Sequence, residues 1–320
     1  MNAHIRTFTE HDYPASVAVV NAVFPEDQDT VEEWQHWDAH RDPKCNFRRW
    51  VAEVDGQVVA YGDYDQRSGM YHPRKFSVLV AVQPTYQGQG VGAALYNHIL
   101  AELEPLEPLS LRAHVRADMT RSIRFLKDRG FREDMRFWES RLDVTAFDFS
   151  PYADAEERVR SHGIEIKTMA ELVSDSQRDH KLFELDAALV QDVPHPEPHT
   201  PISYEFFNEN LLQNPNLLPD GFFVALHNGR YVGMSNLWRS QASADLYTGL
   251  TGVCREYRRQ GIALALKLRA ITYAKARGTQ IIKTSNESNN RPMLSINEQL
   301  GFVKQPIWIS FLKVLREERE

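Results

Sequence analysis

The chain has 320 residues, 42% of them hydrophobic and 25% charged, which is apolar material for two domains of ordinary size and argues against global disorder. A formal net charge of −7 argues against nucleic acid as the main partner, and only two cysteines, Cys45 and Cys254, speak against a disulfide framework or a cysteine-rich zinc site. No apolar run approaches the roughly 18 residues of a membrane span. Residues Met1 to Phe8 lack the basic and apolar regions of a signal peptide, so a cytoplasmic protein without a membrane partner is expected.

In chain order, residues 4–8 read as a strand, 11–23 and 30–40 as helices, and 49–54 with 57–64 as a hairpin across Asp55-Gly56, a dipeptide suited to the tight turn. A strand over 76–82 leads into Gln87-Gly88-Gln89-Gly90-Val91-Gly92 and then a helix with Val91, Leu95 and Ile99 along one face. Leu109–Val115 follows as a strand, 119–129 as a helix, and 131–142 as a closing strand. The stretch 143–162 carries a proline and many carboxylates without strand alternation, so the division is placed there, giving domains 1–150 and 151–320.

The second half repeats the plan. A strand over 163–167, helices over 176–189 and near 203–213, and a hairpin across Asn228-Gly229 precede a strand over 246–253. Arg258-Arg259-Gln260-Gly261-Ile262-Ala263 then opens a helix carrying Ile262, Leu266 and Ala270, followed by a strand over 280–284 and a helix ending at Leu300. Four prolines stiffen the loop from Asp192 to Pro201.

One spacing ties the halves together. Val82 and Val253, Tyr86 and Tyr257, Gly90 and Gly261, and Gly130-Phe131 and Gly301-Phe302 are each 171 residues apart, and so are Gly62 and Gly233. That register implies duplication of one domain.

Both glycine turns sit between a strand and a helix, where small residues let backbone amides at the first helical turn approach phosphate oxygens. A P-loop would need Gly-Lys-Ser or Gly-Lys-Thr, and a dinucleotide fold would need further βαβ units; neither is present. Gln87-x-x-Gly90-x-Gly92 and Arg258-x-x-Gly261-x-Ala263 resemble the acetyl-CoA motif of the GNAT N-acetyltransferase superfamily. Phe125 to Phe131 and Ile296 to Phe302 resemble its second signature, a helix end running into the last strands through Gly-Phe.

The resemblance implies an α/β (α+β) chain of two tandem GNAT-like domains, each a mixed, mostly antiparallel sheet flanked by helices, an organisation similar to that of the mycothiol synthases. It implies acetyl-CoA held by Val80, Val82, Gln87, Gly88, Gln89, Gly90, Val91 and Gly92 in the first half. In the second half the counterparts are Thr251, Val253, Arg258, Arg259, Gln260, Gly261, Ile262, Ala263 and Asn290. An amine attacks the thioester directly, with a base to take its proton and an acid for the thiolate. The position where many members carry an acid tyrosine holds Leu126 in the first half and Asn297 in the second. Asn297 offers a hydrogen bond and Leu126 does not, which points to chemistry in the second half.

Tyr247 and Tyr257 are further candidates for proton relay, against the alternative that they only pack. His195 and His199 on the proline-rich loop and Glu184 and Asp186 on its preceding helix are candidate acceptor contacts, against the alternative of an ordinary exposed loop and a solvated helix face with an ion pair to Lys181. Asn290 is equally suited to capping the helix before Pro292. His180, His195 and His199 lack companion ligands at zinc spacings, so no metal is expected. The expectation is acetylation of a primary amine on a small molecule by a monomer or homodimer. A non-catalytic acyl-CoA-binding module and a protein N-acetyltransferase remain as alternatives.

Overall fold

Asp55, Gly56, Asn228 and Gly229 all have positive φ, as the two-residue turns that match strand twist require, and these turns set the register of the strands they join. A computed structural model describes residues 3–318. The chain forms two units, Met1–Met135 with Trp308–Glu320, and Arg136–Ile307.

Unit 1 contains β1 (His4–Thr7), α1 (Tyr13–Val23), α2 (Val31–Ala39), β2 (Arg48–Val54), β3 (Gln57–Asp65), β4 (Lys75–Val82), α3 (Val91–Leu103), β5 (Ser110–Arg116) and α4 (Thr120–Lys127). The chain continues through β6 (Arg132–Asp143), α5 (Ala155–Ser161), β7 (Ile164–Thr168), α6 (Arg178–Val190) and α7 (Tyr204–Phe207), which runs on as a π turn over Asn208–Leu212. Then come β8 (Leu217–His227), β9 (Arg230–Arg239), β10 (Leu246–Val253), α8 (Ile262–Arg277), β11 (Ile281–Glu287), α9 (Arg291–Gln299), β12 (Val303–Lys304) and β13 (Trp308–Val314).

The sheet of unit 1 runs β1-β2-β3-β4-β5-β13, antiparallel except at β4–β5. That of unit 2 runs β7-β8-β9-β10-β11-β6, antiparallel except at β10–β11, with β12 also on β6. The last strand of each repeat is therefore used by the other unit. β6 leaves the first repeat to pair with β11, and β13 returns from the second to pair with β5. The units consequently divide differently from a cut between 150 and 151, because alternation marks a strand without naming its partner.

The stretch 143–162 is not a plain linker either. Its helix α5 buries Ala155 and Val159 in the core that includes Ile262, Ala265 and Leu266 of α8.

In unit 1, α3 buries Leu95 and Ile99 on one face of the sheet; a Cβ at Gly62 would come within 2.9 Å of Ile99, so the helix needs glycine there. The next residue along, Tyr61, points to the other face and packs with Tyr13, Val17 and Val20 of α1 and Trp34 of α2.

The ladders refine the internal register. Ala60 faces Val82 in unit 1, whereas Gly233 faces Val253 in unit 2, so Gly233 matches Ala60 and Gly62 matches Ser235. The hairpins are displaced by 173 residues, as their turns at 55 and 228 also show, while β4 and β10 end 171 apart.

Candidate active site

Each central strand pairs only briefly with its parallel neighbour. β4 meets β5 from Lys75 to Ser77 and β10 meets β11 at Leu246 and Tyr247, after which the strands part. In unit 1 the gap is a cavity of about 300 Å³, lined among others by Val80, Val82, Gly90, Tyr96, Val115 and Leu126.

The helices that follow begin with open amides. The first α3 bond runs from Ala94 N–H to Gly90 O and the first α8 bond from Ala265 N–H to Gly261 O, and neither helix has a side-chain cap. The N–H groups of Val91, Gly92 and Ala93, and of Ile262, Ala263 and Leu264, thus lack an intrahelical carbonyl and make an anion site together with the helix dipole.

The first motif residue in each half braces the turn. Gln87 Nε2 donates to Val82 O at 3.0 Å, and Arg258 Nε donates to Val253 O at 2.9 Å. Arg258 also pairs with Asp192, as does Arg255; hydrogen bonds from Arg255 and then Arg258 hold the Asp192 carboxyl near 2.

The two turns share a backbone but place their cations differently. Gly88 (φ +78) corresponds to Arg259, a non-glycine at φ +62. A Cβ at Gly88 would lie 3.3 Å from Arg121 Nη1 on α4, so in unit 1 a guanidinium from the first turn of α4 covers the turn. In unit 2 Pro292 occupies the matching position and Arg259 supplies the cation from the turn itself, in a conformation that costs about 1–2 kcal/mol.

The central strands differ as well. In unit 1, Val78 and Val80 face Tyr64 and Gly62 in an unbroken ladder. In unit 2, Thr248 and Thr251 face Leu237 and Ser235, so β10 carries one extra residue: a β-bulge at the point where it leaves β11. Asn236, almost wholly buried, fills the bulge, accepting from Leu250 N–H at 2.9 Å and from Trp238 Nε1 at 3.3 Å. A Cβ at Gly249 would lie 2.3 Å from Asn236 Oδ1, so only glycine fits.

The remaining candidates are distributed as follows. Asn297 is buried; its Nδ2 donates to Asn286 Oδ1 at 2.7 Å while its Oδ1 has no partner. Asn290 caps α9, accepting from Met293 N–H at 3.4 Å. Tyr247 accepts from Lys283 Nζ at 3.0 Å where β10 and β11 are still paired, and Lys283 also pairs with Asp245. Tyr257 lies beyond the other end of β10, its hydroxyl 3.2 Å from His227 Nδ1, and packs against the unit 2 core. The structure does not bring the two tyrosines together. His195 and His199 have ring centres 6.0 Å apart, and burial followed by His195 lowers the His199 pKa. Glu184 is exposed on α6, and Lys181 pairs with Asp175 rather than with it. No group of three or more His, Cys, Asp or Glu among the described residues is placed to hold a metal ion, and no described helix is long and apolar enough to cross a membrane.

Three buried titratable groups also stand out, of which Asp186 shares with Glu184 the sequence reading of a helix face suited to a cationic acceptor. On α6, burial raises Asp186 to about 6, and the side chain has no polar partner among the described residues. In unit 1, Asp63 on β3 is raised to about 7 by burial and then by Asp65, despite the Tyr61 hydroxyl at 2.6 Å. On α8, Lys267 is 3% exposed.

A braced glycine turn at a helix opening, beneath two parting parallel strands, occurs twice in the chain. The sequence matches the Acetyltransferase (GNAT) family over residues 5–131 and again over 180–302, and the chain belongs to that family, an acyltransferase family built here in tandem. The N-alpha-acetyltransferase 30 of Schizosaccharomyces pombe is 30% identical over 34% of this chain and 69% of its own length. A mycothiol acetyltransferase of Thermobifida fusca is 24% identical over 71% of both chains. Among solved structures, a tandem GNAT protein from the clavulanic acid biosynthesis pathway superposes with a TM-score of 0.77 at 15% identity, covering 99% of this chain and 100% of its own. A GCN5-related N-acetyltransferase from Sphaerobacter thermophilus gives 0.71 at 19% identity, over 99% and 97%. These likenesses establish the fold.

Proposed function

We propose that the protein transfers the acetyl group of acetyl-CoA to a primary amine of a small molecule and that unit 2 carries the chemistry. The observation that supports this most is the bulge in β10, which interrupts the ladder beside the open α8 amides, whereas β4 continues unbroken. Bulges re-aim backbone and side chains beside active sites. The diphosphate would rest on the amides of Ile262, Ala263 and Leu264 with Arg259 alongside, and the pantetheine arm would extend the sheet along Thr251–Val253. Unit 1 would hold a second acyl-CoA in the Val80–Val82 cleft over Gly88–Gly92, beneath Arg121, with Leu126 where unit 2 has Asn297.

The unpaired Asp186 carboxyl suits a cationic acceptor: near 6, it is ionised at neutral pH and would attract an ammonium. The relative that matches across both repeats is named for a small-molecule acceptor, whereas the protein N-terminal acetyltransferase matches only a third of the chain.

The test is calorimetric titration with acetyl-CoA followed by a thiol-release assay on a broad panel of primary amines. Turnover of at least one amine above the hydrolysis background is expected. Acetyl-CoA binding with no turnover across the panel would refute it in favour of a binding module.

A further inference from the structure

The cleft of unit 1 is lined by Tyr96 of α3, Val115 of β5 and Leu126 of α4. The same steps along α8, β11 and α9 in unit 2 carry Lys267, Asn286 and Asn297, each 171 residues on. The strand pairing supports that match: Phe76 faces Leu111 in unit 1, as Leu246 faces Ile282 in unit 2, where the bulge accounts for the one-residue difference along β10. Three positions that line the unit 1 cleft with a tyrosine, a valine and a leucine carry a lysine and two asparagines in unit 2.

Two of the three groups are tied to each other. Asn297 Nδ2 bonds to Asn286 Oδ1, and Asn297 Oδ1, buried, is left without a donor. Lys267 is buried in the middle of α8; its ammonium lies 5.2 Å from the centre of the Phe302 ring and has no hydrogen-bond or ion-pair partner among the described residues. The backbone N–H of Phe302 in turn bonds to Asn297 O, which ties the end of α9 to the residue whose ring the lysine faces. A lysine that only reached for solvent would expose its ammonium. Burial alone lowers Lys267 to about 8, and no neighbouring charge contributes. An isolated buried cation is costly, and the group that would offset the cost is an anion arriving in the cleft.

We propose that the Lys267 ammonium protonates the departing coenzyme A sulfur in unit 2. The inference rests on the reading of unit 2 as the catalytic unit. The acceptor nitrogen attacks the thioester carbonyl carbon, the C–S bond breaks with its electron pair going to sulfur, and a Lys267 N–H proton moves to that sulfur. The acceptor nitrogen, attacking as the neutral amine, releases one proton to water, and the neutral lysine regains a proton from water after the products leave. Amine and thioester become amide and thiol. An alkyl thiol ionises at roughly 8.5, so a donor near 8 matches it closely.

The test uses the full chain and Lys267→Met, with Lys267→Gln as a second variant should the first fold poorly. Coenzyme A itself is the probe: its thiolate is followed by ultraviolet absorbance against pH while bound, and the unit 2 signal is the part that Gly261→Glu removes. The bound thiol should ionise about one unit or more below free coenzyme A in the native chain and at the free value in both variants, with affinity at pH 6 changed less than about threefold. With an amine from the panel, kcat should fall by about 100-fold or more at unchanged KM for acetyl-CoA, and the basic limb near pH 8 should vanish. An unshifted thiol in the native chain, or native kcat in the variants, overturns the role of Lys267. A thiol shift that depends on Lys267 in a chain that acetylates no amine upholds the contact and refutes the functional reading instead.

Discussion

Gly261→Glu separates the two cofactor sites. Gly261 has φ +82, where a side chain costs about 1–2 kcal/mol, but a Cβ there would meet nothing closer than Val159 at 3.8 Å. The variant should fold, with a melting temperature lower by only a few degrees. At the phosphates the effect is larger. A carboxylate about 5 Å from one phosphate charge, at an effective dielectric constant of about 20, opposes binding by about 3 kcal/mol, or a factor on the order of 100. Gly261→Ala introduces the strain without the charge and should lose less than about tenfold. Calorimetry should therefore count two acetyl-CoA sites on the native chain and one on Gly261→Glu, and amine acetylation should disappear with the lost site. Raising the salt should recover part of the affinity. Loss of both sites together, or equal losses for alanine and glutamate, would refute independent anion sites at the helix openings.

Two further outcomes follow from buried groups. Asp63 is raised to about 7 from 3.8, so the folded state holds its proton more tightly; that contribution is complete below about pH 4 and is lost as pH rises towards 7. Asp63→Asn should stabilise the chain at pH 8 by on the order of 1–2 kcal/mol and change it little at pH 4.5, and an equal effect at both, read by thermal melts, would contradict the buried-charge account. Gly249→Ala forces a Cβ to within 2.3 Å of Asn236 Oδ1 and 2.4 Å of Trp238 Nε1, so the melting temperature should drop by the equivalent of about 1–3 kcal/mol. Acetylation should fall with it, and native activity in a folded Gly249→Ala protein would show that the bulge is not needed.

The two turn motifs, their strand-turn-helix setting and their spacing of 171 residues were legible because each is a local demand on the chain. A helix opening that approaches a phosphate needs small residues in sequence, and a duplicated gene keeps them in register. The family and the twofold plan follow from that alone. Lys267 was within reach of the same comparison, since it stands where the first repeat has Tyr96, but an amphipathic helix reads a lysine as solvent-facing until its burial is seen. Asp63 and Arg121 gave no signal, because desolvation and proximity to a turn depend on what packs against them, and for the same reason nothing in the sequence told Asp186 apart from Glu184 on α6.

Pairing lay beyond sequence altogether. A strand's alternation states which face is buried and not which edge it joins, so the exchange of β6 and β13 between units became visible only in the folded chain. The bulge was hidden for a related reason: one extra residue in β10 is defined against the partner strand and leaves the strand's composition unchanged. Local chemistry along the chain thus determined where helix openings leave backbone amides free, and long-range pairing decided which of the two copies has a bulged central strand beside them.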